Sequence, residues 1–200
     1  MLGFFDGACE PMNPGGVATY GFVIFGDGGA RLASGCGVAA ALRPCATNNY
    51  AEYTGLIRLL ESALRLGGRG IVVKGDSQLV VRQVNGEYAV RSGNILPLYG
   101  EAVGLVEALG AKVVWVPREE NREADALSHT AYEEFMDRHP EVASSLRNHL
   151  ATEKQVALLR SLGIEAYRYM GRMDASRLIR RHAGGWRKAL KVDERGRDLD

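Results

Sequence analysis

The chain has 200 residues, 46% of them apolar and 24% charged, with a formal net charge of +1, enough for one main domain with a real core, or such a domain with a small appendage. No apolar run approaches the length of a membrane span, and Cys9, Cys36 and Cys45 are odd in number and lack paired ligand spacing, which argues against a zinc site or a disulfide framework. The near-neutral total conceals an asymmetry, with 13 basic and 17 acidic residues in 1–150 against 12 and 7 in 151–200, as expected of a compact domain followed either by a basic attachment able to hold a polyanion or by a basic solvated tail.

In chain order, residues 1–6, 17–26 and 30–39 are rich in Val, Phe, Tyr, Ile and Ala and are separated by "PMNPGG" and "GDGG", which predicts three strands in a meander. "TNNYAEYTGLIRLLESALRL" carries Leu56, Leu59, Leu60 and Ala63 at helical spacing, and "GGRG" stops it. "GIVVKGD" reads as a short buried strand, "SQLVVRQVNG" as a helix capped by Ser77, "ILPLYGEAVGLVEALG" as a further helix and "AKVVWVP" as a fifth strand. "NREADALSHTAYEEFMDRH" is a helix with Ala124, Leu127, Ala131 and Phe135 along one stripe. The order βββαβααβα predicts an α/β fold with one mixed five-stranded sheet, three antiparallel strands then two parallel, flanked by helices. A soluble, cytoplasmic protein is expected, because the N-terminus enters a strand directly without the n- and h-regions of a signal peptide.

Four acids stand where acids are costly or conspicuous. Asp6 shares a face with Leu2 and Phe4 and is expected at the end of the first strand, close to the core. Asp76 ends the run "IVVKGD". Glu52 precedes Leu56, Leu59 and Leu60 by four, seven and eight residues, so it lies on the apolar stripe. Asp125 sits in the first turns of the last helix within "REENREAD". Each alone has a plain reading as a turn former, a helix-start charge or part of a solvated patch. Together, converging carboxylates need a cation, and oxygen donors without His or Cys select magnesium or manganese.

The segments "DGACEPMNPGG", "TNNYAEYTGL", "GDSQLVVRQVNGEY" and "WVPREENREADALS", in this order and spacing over about residues 1–137, resemble ribonuclease H type 1, the family that cuts the RNA strand of an RNA–DNA hybrid. The resemblance implies the ribonuclease H-like fold, with Asp6, Glu52, Asp76 and Asp125 as the catalytic acids holding two Mg2+ ions, Mn2+ being a substitute. It implies hydrolysis leaving 5′-phosphate and 3′-hydroxyl ends. It also implies that Asn13 and the backbone at Gly15, Asn48 with Asn49, and Gln78 touch the hybrid, amides being able to read a 2′-hydroxyl as donor and acceptor.

Two features of the family's bacterial branch are absent: the histidine loop before the last acid and the basic handle, for which "NGEYAVRSGN" is too short. The chain is in this respect similar to the compact archaeal branch. Arg118, just past the fifth strand, is a candidate for the scissile phosphate or the leaving group; His129 is the nearest alternative for proton handling, although a helix-surface histidine is its plainer reading.

The expected domains are a catalytic domain at 1–140, a linker helix at 141–150, a basic helical extension at 151–183 and a mobile tail at 184–200. The extension, "TEKQVALLRSLGIEAYRYMGRMDASRLIRRH", reads as two short helices and is similar to a small "T-x-K-Q…LG…AS-x-LI" module found in assorted proteins. It would lend Arg177, Arg180 and Arg181 to the substrate or serve stability or partner docking. The expected partner is an RNA–DNA hybrid, and double-stranded RNA is a second candidate because both duplexes approach A-form. Other readings are a non-catalytic nucleic-acid-binding module, marked by binding without turnover, and a metal-dependent phosphatase, marked by preference for a small ester.

Overall fold

A computed structural model describes residues 1–164 and 166–182. The chain divides into two compact units, Met1–Pro140 and Glu141–Asp200, and the expected tail at 184–200 lies outside the described residues.

The first unit holds five strands, β1 (Leu2–Glu10), β2 (Val17–Phe25), β3 (Arg31–Ala41), β4 (Val72–Gly75) and β5 (Lys112–Trp115), and four helices, α1 (Asn48–Arg65), α2 (Gln78–Val84), α3 (Leu96–Leu109) and α4 (Arg122–Arg138). The sheet order is β3-β2-β1-β4-β5. β1 pairs antiparallel with β2, and β2 with β3, while β1 with β4 and β4 with β5 are parallel. This is the mixed sheet expected from the order of elements. β1 differs from its predicted extent: it runs on to Glu10, because its antiparallel ladder with β2 continues through Glu10↔Val17. Its parallel ladder with β4 stops at Phe5↔Gly75. Asp6 is therefore mid-strand, at the point where β1 first projects beyond β4.

The main core joins Phe5, Phe22 and Ile24 of the sheet to Tyr53, Leu56, Leu59 and Leu60 of α1, with Val73, Val80 and Val113. Each fully buried Leu on the α1 stripe stabilises the fold by about 1.5–3 kcal/mol. α1 begins at Thr47, whose side chain accepts from the Tyr50 N–H at 3.1 Å, and α2 begins at Ser77, which accepts from the Val80 N–H at 3.4 Å; each oxygen satisfies a donor that helix geometry leaves free. Two glycines set how closely helices approach the sheet. A Cβ at Gly7 would lie 2.2 Å from the Glu52 nitrogen, and one at Gly21 would lie 2.4 Å from the Ala124 oxygen. Gly21 pairs with Asp6, so one glycine seats the helix of Glu52 and the other the helix of Asp125.

In the second unit, residues 141–150, expected as one linker helix, form the end of α5 (Pro140–Ser145) and a separate 3-10 turn at Arg147–His149. α6 (Glu153–Ser161) opens with a capping box of Thr152 and Gln155, and a further helix covers residues 172–182. Their small core is Leu159, Met170 and Ala175, flanked by Leu178 and Ile179. Among the described residues no helix is long and apolar enough to cross a membrane.

Gly7→Ala should destabilise the chain by about 1–3 kcal/mol, since the added methyl meets backbone rather than a movable side chain. Gly100→Ala, in α3 with open space around it, should be neutral or stabilising by up to about 1 kcal/mol. Urea unfolding of the two variants tests the contrast; equal stabilities would contradict it.

Candidate active site

The end of the parallel ladder collects the acids. Asp6 emerges beyond β4, Asp76 directly follows β4, and Glu52 stands in the second turn of α1, held against β1 by Gly7. One carboxylate oxygen from each of Asp6, Glu52 and Asp76 lies within 4.8 Å of the other two. Asp6 is 5% exposed and Glu52 7%; Asp76 is half-buried.

Side chains that carry no charge position these groups. Ser128 Oγ donates to Asp6 Oδ2 at 2.5 Å. Asn121 Nδ2 donates both to the Phe5 carbonyl at 2.8 Å and to Asp76 Oδ1 at 3.0 Å, and the Trp115 indole N–H donates to the Asp76 carbonyl at 3.0 Å. Glu52 Oε2 and Asn121 Oδ1 are buried with no hydrogen-bond partner. Sequence reasoning missed Asn121 and Ser128. Their signal was their place on the α4 stripe: Asn121, Ala124, Ser128 and Ala131 recur at helical spacing and all four are buried.

Burial, only partly offset by the Ser128 hydrogen bond and reinforced by Asp125 and Asp76, pushes the Asp6 carboxyl up to about 7. Burial and then the neighbouring Asp6 and Asp76 hold Glu52 well above the usual carboxylate range. Hard oxygen donors, mutual repulsion and an orphaned buried carboxylate oxygen are what a divalent cation of the Mg2+ or Mn2+ class would satisfy.

Asp125 stands outside this group of three. Its Oδ1 accepts from Arg118 Nη2 at 2.6 Å, and His129 Nε2 lies 3.9 Å away. His129 also lies 3.9 Å from Glu10 Oε1 and its side chain is only 22% exposed, so it is wedged between two acids rather than spread on the helix surface.

The amides form a second locus. Asn48 Oδ1 accepts from the Cys9 N–H at 2.8 Å, Asn13 Oδ1 accepts from the Asn48 N–H at 3.3 Å, and the Gly15 N–H donates to the Ala46 carbonyl at 2.9 Å. Asn13, Thr47, Asn48 and Asn49 line a groove of about 320 Å³ together with Ser92 and Asn94, two residues that sequence reasoning did not single out. Gln78 does not line this groove; it is exposed in the first turn of α2, two residues beyond Asp76.

A family model described as reverse transcriptase-like matches residues 4–131. The crystal structure of RNase H1 from the halophilic archaeon Halobacterium salinarum superposes with a TM-score of 0.60 at 32% identity, covering 66% of this chain and 97% of that one. The chain belongs to the ribonuclease H1 family. By sequence, the ribonuclease HI of Halobacterium salinarum is 35% identical over 132 residues, 66% of this chain and 63% of that protein. A bifunctional protein of Mycobacterium tuberculosis is 42% identical over 87 residues, 43% of this chain and 24% of that protein. The chain thus spans about a quarter of the length of its mycobacterial relatives. The ribonuclease H1 named LC11, solved in complex with an RNA/DNA hybrid, is similar at 29% identity and a TM-score of 0.60 over 68% of this chain and 98% of that one.

A carboxyl whose pKa is raised on folding keeps a proton that the unfolded chain releases, so in metal-free protein the Asp6 contribution to stability is lost as pH rises from about 4 through about 7. Asp6→Asn in chelator should therefore be more stable than the parent at pH 8. At about 1.4 kcal/mol per pKa unit the difference is on the order of a few kcal/mol, and it should narrow as pH falls toward 4. Thermal unfolding across this range is the check, and a variant no more stable than the parent at pH 8 would contradict the assignment.

Proposed function

We propose that this chain is a metal-dependent endoribonuclease that hydrolyses the RNA strand of RNA–DNA hybrids. The observation that carries the reading is the convergence of Asp6, Glu52 and Asp76 within 4.8 Å, two of them buried and one with an orphaned oxygen, in a chain of the ribonuclease H1 family. Two divalent ions at such a site would supply an activated water and neutralise the leaving oxygen of an in-line displacement.

The chain's own residues supply position. Asp6, Glu52 and Asp76 would hold the cations, with Ser128 orienting Asp6 and Asn121 orienting Asp76. Asp125 would complete the set if parted from Arg118. Arg118, so released, is a planar donor for the scissile phosphate or the leaving oxygen, a role that suits a guanidinium. Asn13, the Gly15 backbone, Asn48, Asn49 and Gln78 contact the hybrid, the amides reading 2′-hydroxyls across its shallow minor groove. The products carry 5′-phosphate and 3′-hydroxyl ends. The hybrid-bound state of the LC11 relative supports this choice of substrate.

Purified protein incubated with end-labelled hybrid, double-stranded RNA and single-stranded RNA should cut the hybrid with Mg2+ or Mn2+ and not in chelator, and Asp76→Asn should abolish cutting. Failure to cut hybrid with either metal would sink the reading, while added cutting of double-stranded RNA would widen the substrate class. Arg118→Ala should lower kcat on hybrid at least about tenfold; an undiminished rate would remove Arg118 from the reaction.

A further inference from the structure

The catalytic unit presents a physical difficulty. Residues 1–140 carry 12 basic against 16 acidic residues, and its cation site is itself a knot of carboxylates, so its field opposes the polyanion it is proposed to cut. The groove residues Asn13, Thr47, Asn48, Asn49, Ser92 and Asn94 carry no formal charge. Amides and hydroxyls can read a duplex, but the salt-dependent affinity for nucleic acid comes from Lys and Arg neutralising phosphates.

The second unit has the opposite balance. Residues 141–182 contain eight Lys and Arg against four Asp and Glu, and half of the basic residues are in the helix 172–182. At about 100° per residue, Arg177, Arg180 and Arg181 fall with Met173 on one arc of about 100°, all four exposed. Ala175, Leu178 and Ile179 lie on the opposite side and join the small core. Arg177 shares its charge with Asp174 at 3.2 Å; Arg180 and Arg181 have no acidic partner among the described residues.

The helix is firmly held. Gln155 Nε2 donates to Ser176 Oγ at 2.8 Å and to the Arg172 carbonyl at 3.2 Å, and the Ala151 N–H donates to the Met170 carbonyl at 2.8 Å. An arginine row on a pre-ordered helix has its backbone already fixed, so that only the side chains remain to be ordered on binding. Met173, 66% exposed, gives the row an apolar patch that solvation alone does not call for.

We propose that the Arg177–Arg180–Arg181 face is a second nucleic-acid-binding surface, which grips the phosphate backbone of the duplex that the catalytic unit cuts. The proposal rests on the nuclease reading for the identity of the duplex. Tethering turns the two weak contacts into one tighter one, because the second engages at the effective concentration set by the link between the units. The face supplies the charge, and the amide groove supplies the reading of the strand.

The test uses the full chain in an Asp76→Asn background, so that hybrid is bound without being consumed, with fluorescence anisotropy measured from 50 to 300 mM KCl. Changing Arg177, Arg180 and Arg181 together to Gln should weaken binding at least about tenfold at 50 mM and flatten the slope of log affinity against log salt by roughly 2 to 3, near 0.9 for each phosphate no longer neutralised. The same three changed to Lys should keep most of both. Arg65→Gln with Arg69→Gln, exposed at the end of α1 and in the loop that leads into β4, should change affinity less than about twofold. In the otherwise wild-type chain the triple Gln variant should raise KM with kcat nearly unchanged, and its melting temperature should match that of the Lys variant. Unchanged affinity and slope in the triple Gln variant, or an equal loss in the Arg65 and Arg69 control, would overturn the proposal and leave the face to a protein partner. If the wild-type chain cuts no hybrid while binding still depends on this face, the nuclease reading fails and the surface stands.

Discussion

Burial of carboxylates, sharpened by the repulsion of their like-charged neighbours, governs this molecule. Asp6, Glu52 and Asp76 approach within 4.8 Å, and burial raises the first two carboxyls even before their neighbours act. Without a cation the charged form of the arrangement is disfavoured, and both buried carboxyls are held above the usual carboxylate range. The fold tolerates this because its large apolar core lies elsewhere, along the face of β1 and β2 that α1 covers. Ser128 and Asn121 fix the direction of two of the carboxylates but add no positive charge. Arg118 adds one, at Asp125, outside the group of three.

Topology makes the convergence possible. A parallel pair of strands ends both chains at the same edge of the sheet, and there β4 stops while β1 continues, exposing a step. Asp6 and Asp76 occupy that step, in the crevice beyond the carboxyl end of β4 where parallel strands commonly place ligand sites. α1 runs antiparallel to β1, with Gly7 against Glu52 and Gly3 against Leu59, so its first turns carry Glu52 together with Asn48 and Asn49 of the groove. Glu52 of the cation-type cluster and the Asn48–Asn49 pair of the groove thus share one helix start.

Much of this was legible from local pattern. Glu52 betrayed itself as a carboxylate on a leucine stripe, and Asp76 as an acid between a strand and a helix cap. The five strands, three antiparallel and then two parallel, followed from the alternation of apolar runs and helices, whereas the placing of β4 beside β1 came from the structure. The extent of β1 was not legible, because "GACE" is small and polar and its extension depends on a ladder with Val17–Gly21 that no local window contains. Asn121 and Ser128 escaped for a related reason: their carboxylate partners lie 45 and 122 residues away along the chain. Arg118 and Asp125 were each singled out, yet their pairing was not, since it needs the 3-10 turn at Arg118–Glu120 to fold the guanidinium back toward α4.

Direct titration of Mn2+ into the chelator-stripped chain by calorimetry tests the three converging carboxylates as a cation site without reference to turnover. Saturable binding that weakens at least about tenfold in Glu52→Gln, a near-isosteric change that removes the buried charge, is the predicted result, in line with the usual cost of losing a ligand's charge at such sites. Binding equally strong in Glu52→Gln, or no saturable binding to the parent, would contradict it.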